Sequence, residues 1–168
     1  MTAAASAPVP FDRKVHSVDA FRCGRPSLDS RLRASAQRDE RGEPARTFVT
    51  IAPDGGVTGY YAVVVAEIDA TRTSAKAIVE GLPIPVATIA RLAVTEGHQH
   101  TGLGRTLLLD ALARIARASE EVPARAVLAA TLDGEGQGFY RHFGFQPSRL
   151  EPDLLMVPMR SVRRVVGI

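Results

Sequence analysis

The chain has 168 residues, 45% of them hydrophobic, and 21 Lys and Arg against 18 Asp and Glu give a formal net charge of +3. That length and apolar content suffice for one core and fall short of two ordinary domains, and one cysteine excludes an internal disulfide. No stretch is long and apolar enough for a membrane-spanning helix, and residues 1–10 have neither a basic start nor a sustained apolar run, so a cytoplasmic protein free of the membrane is expected.

In chain order, residues 1–14 read as a flexible tail. Ser27 can cap a helix whose Leu28, Leu32 and Ala36 fall on one face, with Gly42 and Pro44 ending it. Residues 47–52 and 59–68 are rich in β-branched and aromatic side chains and flank Pro53-Asp54-Gly55-Gly56, the composition of a hairpin. Tyr60 and Tyr61 alternate across that second strand, so one faces the core and the other is read first as core too and second as a ring that stacks on an acceptor. Residues 69–85 have mixed polarity and end in Gly81, Pro83 and Pro85, a loop with at most one short helix.

Residues 89–94 form the next strand. Leu103–Ala118 is a long helix burying Leu107, Leu108, Ala111, Leu112 and Ile115, followed by strands at 124–131 and 154–159. Residues 160–168, holding Arg163 and Arg164 and no acid, read as a second flexible tail. The order is α+β, in a single domain spanning 1–168.

The chemistry concentrates where Arg91-Leu92-Ala93-Val94 runs into Gln99-His100-Thr101-Gly102-Leu103-Gly104-Arg105 and an apolar helix. A helix start carries unpaired N–H donors and about half a positive charge, so it suits a phosphate or diphosphate. A P-loop would place Lys-Ser/Thr after its last glycine, whereas Arg105-Thr106 follows Gly104; a dinucleotide fingerprint would place its third glycine at Leu107. Both are excluded. The segment matches Gln/Arg-x-x-Gly-x-Gly/Ala and, with Phe139-Tyr140-Arg141-His142-Phe143-Gly144-Phe145 downstream, resembles the acetyl-CoA site of the GNAT acetyltransferase superfamily.

Further pieces narrow the resemblance. Phe21-Arg22-Cys23-Gly24, Ser27-Leu28-Asp29, Arg46-Thr47-Phe48-Val49, Gly59-Tyr60-Tyr61 and Ile84-Pro85-Val86 occur in the order found in TacT-type toxins of bacterial toxin–antitoxin pairs, a similarity running from about Val15 to about Met159. The chain departs from these toxins at residues 133–138, where three glycines replace an Ala-rich helix. Each costs about 1 kcal/mol relative to Ala, so a helix that is frayed or depends on acetyl-CoA for order is expected there.

The resemblance implies a GNAT fold: a mixed, mostly antiparallel sheet flanked by helices, with a splayed parallel strand pair forming the acetyl-CoA cleft. It implies that main-chain groups of Leu92, Ala93 and Val94 hold the pantetheine arm. Gln99, His100, Thr101, Gly102, Leu103, Gly104 and Arg105 would hold the diphosphate, and Phe139 would line the site. Tyr140 is the general acid by the same resemblance, since a phenol with a pKa of about 10 stays protonated at neutral pH.

The implied activity is transfer of acetyl from acetyl-CoA to the α-amino group of aminoacyl-tRNA, which inhibits translation. That amine has a pKa of about 7.7 to 8.0, so no strong base is needed, and Glu96, the nearest carboxylate in sequence, is read as surface. Arg46 and Arg91 are the expected tRNA contacts, with a strand-edge ion pair the other reading of Arg91. Arg31, Arg33, Arg38 and Arg41 form either a phosphate track or an ordinary arginine-rich surface.

His98 and His100 lack further ligands at metal spacing, so no metal is expected. Cys23, alone, is read as structural. The implied partners are aminoacyl-tRNA, a ribbon-helix-helix antitoxin, operator DNA through the antitoxin complex, and a second copy in a homodimer. Two other readings stay open: a GNAT enzyme of a small amine or a protein N-terminus, and a non-catalytic CoA-binding partner of a repressor complex.

Overall fold

The computed structural model describes residues 6–38, 40–42, 44–68, 84–148 and 153–168. Its elements are β1 (Val9–Pro10), α1 (Pro26–Ala36), β2 (Ala45–Ile51), β3 (Val57–Ile68), β4 (Ile84–Val94), α2 (Leu103–Ala118), β5 (Ala126–Ala130), α3 (Gly134–His142), β6 (Gln146–Pro147), β7 (Leu154–Pro158) and α4 (Met159–Val166). The strands hydrogen-bond in the order β1-β2-β3-β4-β5-β7-β6. Of the pairings, β4 with β5 is parallel, while β1 with β2, β5 with β7 and β6 with β7 are antiparallel. This is the expected mixed α+β sheet. The expected loop over 69–85 lies outside the described residues as far as position 83.

The chain forms two compact units, Met1–Val63 with Arg91–Asp110 and Val64–Ala90 with Ala111–Ile168. In the first, Val18, Phe21, Cys23, Leu32, Val49, Val57, Tyr60 and Ala93 make the core, with Leu28 and Ala36 packed against it. The predicted apolar face of α1 is therefore the one that is covered. Its start differs from expectation. Pro26 occupies the first turn, where a missing N–H costs nothing, and this shifts the cap to Arg25 and leaves Ser27 inside the helix. The helix also stops sooner, at Gln37, and Glu40–Gly42 forms a separate 3₁₀ turn.

The hairpin between β2 and β3 closes as its turn sequence predicts, with the Ala52 N–H donating to the Gly56 carbonyl and the Gly56 N–H to the Asp54 carboxylate, both at 2.9 Å. Gly59 on β3 has a packing reason: a Cβ there would sit 2.8 Å from Leu107 Cδ1 and 3.0 Å from Thr50 Oγ1. Both Tyr60 and Tyr61 are buried, at 1% and 0% exposure, so the core reading holds for both and neither ring is open to an acceptor. Each side of the strand is covered, Tyr60 meeting Phe21 edge-on and Tyr61 stacking on Phe48.

In the second unit, the parallel ladder pairs Val86 with Ala126 through Ile89 with Ala129. β4 begins earlier than its apolar pattern suggested, because Pro85 can occupy a strand start where its carbonyl still accepts from the Arg125 N–H at 2.9 Å. Val86, Ala126, Leu128 and Met156 form a core cluster. Residues 160–168, expected as a loose tail, are largely helical: Met159 and Val162 are buried at i, i+3 spacing and anchor α4.

Candidate active site

In the first unit, β4 ends at Val94, a 3₁₀ turn covers Glu96–His98, and α2 starts at Leu103. Among the described residues, no backbone carbonyl accepts the N–H groups of His100, Thr101, Gly102, Leu103, Gly104 or Arg105. Such a run of unmet donors at the start of a 16-residue helix is chemically suited to anionic oxygens. Gly102 has φ +88° and open space where a Cβ would stand, so glycine is required by the backbone and not by packing. His100 also takes a left-handed conformation, φ 59°, which costs a non-glycine residue about 1–2 kcal/mol. His98 and His100 are exposed, and among the described residues no His, Cys, Asp and Glu cluster could hold a metal.

Gln99 behaves differently from its neighbours. Its side-chain amide donates to the Cys23 carbonyl at 2.8 Å and to the Val94 carbonyl at 2.9 Å, while its main-chain N–H goes to Glu96. Both amide donors are thus spent inside the protein. Leu92 and Val94 are half-buried and Ala93 is buried in the first core.

Arg91, also on β4, is half-buried, and its Nε is cut off from solvent with no hydrogen-bond partner among the described residues. A buried unmet donor costs about 1–3 kcal/mol, more when charged. The guanidinium acts electrostatically on Tyr60, whose hydroxyl donates to the Leu28 carbonyl at 2.7 Å. Burial nevertheless dominates and pushes that phenol well above its ordinary value. Arg31 acts on Tyr60 in the same sense and is exposed on α1. Arg38, Arg41 and Arg46 are exposed, the last donating to the Ala45 and Arg41 carbonyls, whereas Arg33 reaches inward to the Phe21 carbonyl at 2.9 Å. Arg33 is therefore a brace and no part of an open track.

Cys23 is buried, and its thiol is raised to about 11 by burial and by the neighbouring Asp29 carboxylate. It stays a thiol at neutral pH, which removes it as a nucleophile. Glu96 is exposed beside Gly24.

In the second unit, α3 begins at Asp133, whose carboxylate accepts the Gly136 N–H at 3.0 Å. That cap offsets part of the cost of three helical glycines, and α3 runs on to His142 despite them. The helix delivers Tyr140 into an aromatic nest: Phe139, at 5.3 Å, and Phe145, at 5.2 Å, meet its ring edge-on. The residue is 4% exposed. Burial alone drives its phenol far above the ordinary value, so it is protonated throughout the neutral and mildly basic range. Unlike the other two tyrosines, Tyr140 has no hydrogen-bond partner for its hydroxyl among the described residues. An unspent, protonated phenol held by aromatic walls is suited to hand a proton to an atom brought to it.

The model of the acetyltransferase (GNAT) domain matches residues 44–147. A protein of Mycobacterium tuberculosis (strain ATCC 25618 / H37Rv) named tRNA-acetylating toxin is 38% identical over 153 residues, covering 89% of this chain and 90% of that protein. Among solved structures, AtaT complexed with acetyl-methionyl-tRNAfMet superposes with a TM-score of 0.84 at 22% identity, over 94% of this chain and 97% of that one. A Tyr-to-Phe AtaT toxin bound to the C-terminus of the antitoxin AtaR and acetyl-CoA gives 0.81 at 22% identity, over 96% and 98%. These two likenesses show the shared fold.

Proposed function

The chain belongs to the GNAT acetyltransferase family, and from that membership we propose that it is a toxin that acetylates the α-amino group of aminoacyl-tRNA and so blocks translation. The substrate follows the mycobacterial relative's name and the tRNA complex of AtaT. One observation carries the chemistry: of the three tyrosines, Tyr140 alone keeps a hydroxyl without a partner among the described residues.

In this reading the free N–H groups of residues 100–105 hold the coenzyme diphosphate. Leu92, Ala93 and Val94 take the pantetheine arm, Phe139 walls the site, and Gln99 acts through the loop it ties down. The neutral amine attacks the thioester carbonyl, forming a C–N bond, and the C–S bond then breaks. Sulfur takes its proton from Tyr140, and the proton lost by the amine restores the phenol through solvent. Apolar surroundings raise the proton affinity of the departing thiolate as well as that of the phenol, which keeps the transfer feasible.

The guanidinium charges of half-buried Arg91 and exposed Arg46 serve tRNA phosphates; the salt dependence of binding would report it. The homodimer, the ribbon-helix-helix antitoxin and its operator complex belong to the same proposal, supported by the likeness to an antitoxin-bound AtaT. Cytoplasmic action follows from the substrate.

Incubation of the purified chain with charged tRNA and labelled acetyl-CoA tests the reading. Label recovered on the aminoacyl moiety after mild base release supports it. Label found only on free amines or protein N-termini would replace it with the small-amine enzyme.

A further inference from the structure

The coenzyme loop is fastened to α1 by a continuous set of hydrogen bonds. Gln99 donates to the Cys23 carbonyl at 2.8 Å, and the Cys23 N–H donates to the Asp29 carboxylate at 3.0 Å. Asp29 lies in the first turn of α1 and is buried, at 8% exposure. Beside this relay, the Glu96 N–H donates to the Arg22 carbonyl at 2.7 Å, and Thr95 Oγ1 both accepts from the Arg22 N–H and donates to its carbonyl, each at 3.1 Å. Residues far apart in sequence, 22–23 and 95–99, are therefore tied directly together.

We infer that Gln99 and Asp29 are positioning residues that couple coenzyme binding to the order of helix α1. This rests on reading residues 100–105 as the diphosphate loop. The physical argument is local. Gln99 directly precedes the free donors, so fixing those donors around an anion fixes its amide, which in turn fixes the Cys23 carbonyl. Across the Cα of the same residue, the N–H of the preceding peptide is held by the Asp29 carboxylate in the first turn of α1. Ordering one end lowers the cost of ordering the other, and the coupling is reciprocal. A Gln is needed because its planar amide presents two donors and satisfies two carbonyls at once. A direct diphosphate ligand would have to release one of them.

Amide hydrogen exchange on the full chain with and without CoA tests this. Calorimetry first establishes that CoA binds; failure there would count against the diphosphate reading itself and not the coupling. In the wild-type protein, saturating CoA slows exchange along residues 28–36 by at least about fivefold. In Gln99→Leu, CoA at saturation protects residues 102–106 but no longer residues 28–36. Asp29→Asn keeps an acceptor for the Cys23 N–H and keeps the protection, whereas Asp29→Ala loses it, and this pair gives the comparison even if Gln99→Leu fails to fold. Equal protection of α1 in wild type, Gln99→Leu and Asp29→Ala would overturn the inference, as would no protection in the wild type at saturating CoA.

Discussion

The tyrosines of β3 and the tyrosine of α3 are buried alike and differ in one respect. Tyr60 spends its hydroxyl on the Leu28 carbonyl and Tyr61 on the Asp110 carboxylate at 2.6 Å, so both knit elements of the first unit together. Tyr140, in the second unit, is packed by Phe139 and Phe145 and spends its hydroxyl on nothing among the described residues. Burial raises the phenol of Tyr60 and of Tyr140. A raised phenol is therefore no mark of chemistry by itself, and the uncommitted donor is.

The sharpest way to break this comparison is to remove one oxygen at a time. Tyr140→Phe lowers turnover by about 10²- to 10⁴-fold in acetyl-transfer assays, with acetyl-CoA affinity by calorimetry nearly unchanged. Tyr60→Phe and Tyr61→Phe show the opposite pattern. Turnover falls less than about threefold, and unfolding in urea shows a loss of about 1 kcal/mol for each, because a buried hydrogen bond is gone. A Tyr60→Phe enzyme as inactive as Tyr140→Phe would erase the distinction.

The coenzyme loop is tested by Gly102→Ala, which meets no atom yet must hold φ +88°. The backbone strain of about 1–2 kcal/mol weakens acetyl-CoA binding by about tenfold with little loss of kcat. Gly59→Ala has the reverse character. Its Cβ presses on Leu107 and Thr50, so denaturant unfolding shows a stability loss of about 1–3 kcal/mol while coenzyme affinity in the folded fraction is kept.

The smallest effect concerns Cys23, whose folded-state thiol is raised to about 11 from 9.0. A raised acid contributes stability that is complete below the unfolded value and fades as pH rises through the folded one. The melting temperature of the wild type should therefore fall more steeply between pH 9 and about 11 than that of Cys23→Ala.

What was legible in the sequence was whatever repeats locally. α2 starts and stops where its glycines and its i, i+3, i+4 apolar pattern predict, because helix periodicity and an anion-type entry are written in neighbouring residues. α4 was hidden because only Met159 and Val162 of its residues are buried, too few for a visible stripe among arginines. The parallel segment of β4 was hidden by Pro85, which reads as a breaker when its strand-start position is unknown. At the candidate site, type and spacing pick out residues 100–105, the stretch whose N–H groups no backbone carbonyl accepts among the described residues. Gln99 could not be assigned its partner, since the carbonyl it holds lies 76 residues away and a carbonyl leaves no trace in sequence. The orphaned Nε of Arg91 is likewise a property of packing.

The central claim is that a phenol kept protonated by burial completes the transfer. Its most direct test is the pH dependence of the single-turnover rate with saturating acetyl-CoA and charged tRNA. The rate should rise as the α-amine loses its proton near pH 7.7 to 8.0 and stay level to about pH 10, since burial holds Tyr140 in its acid form beyond that range. A falling limb below about pH 9.5 that survives in Tyr140→Phe would show that another group delivers the proton, and would contradict the account.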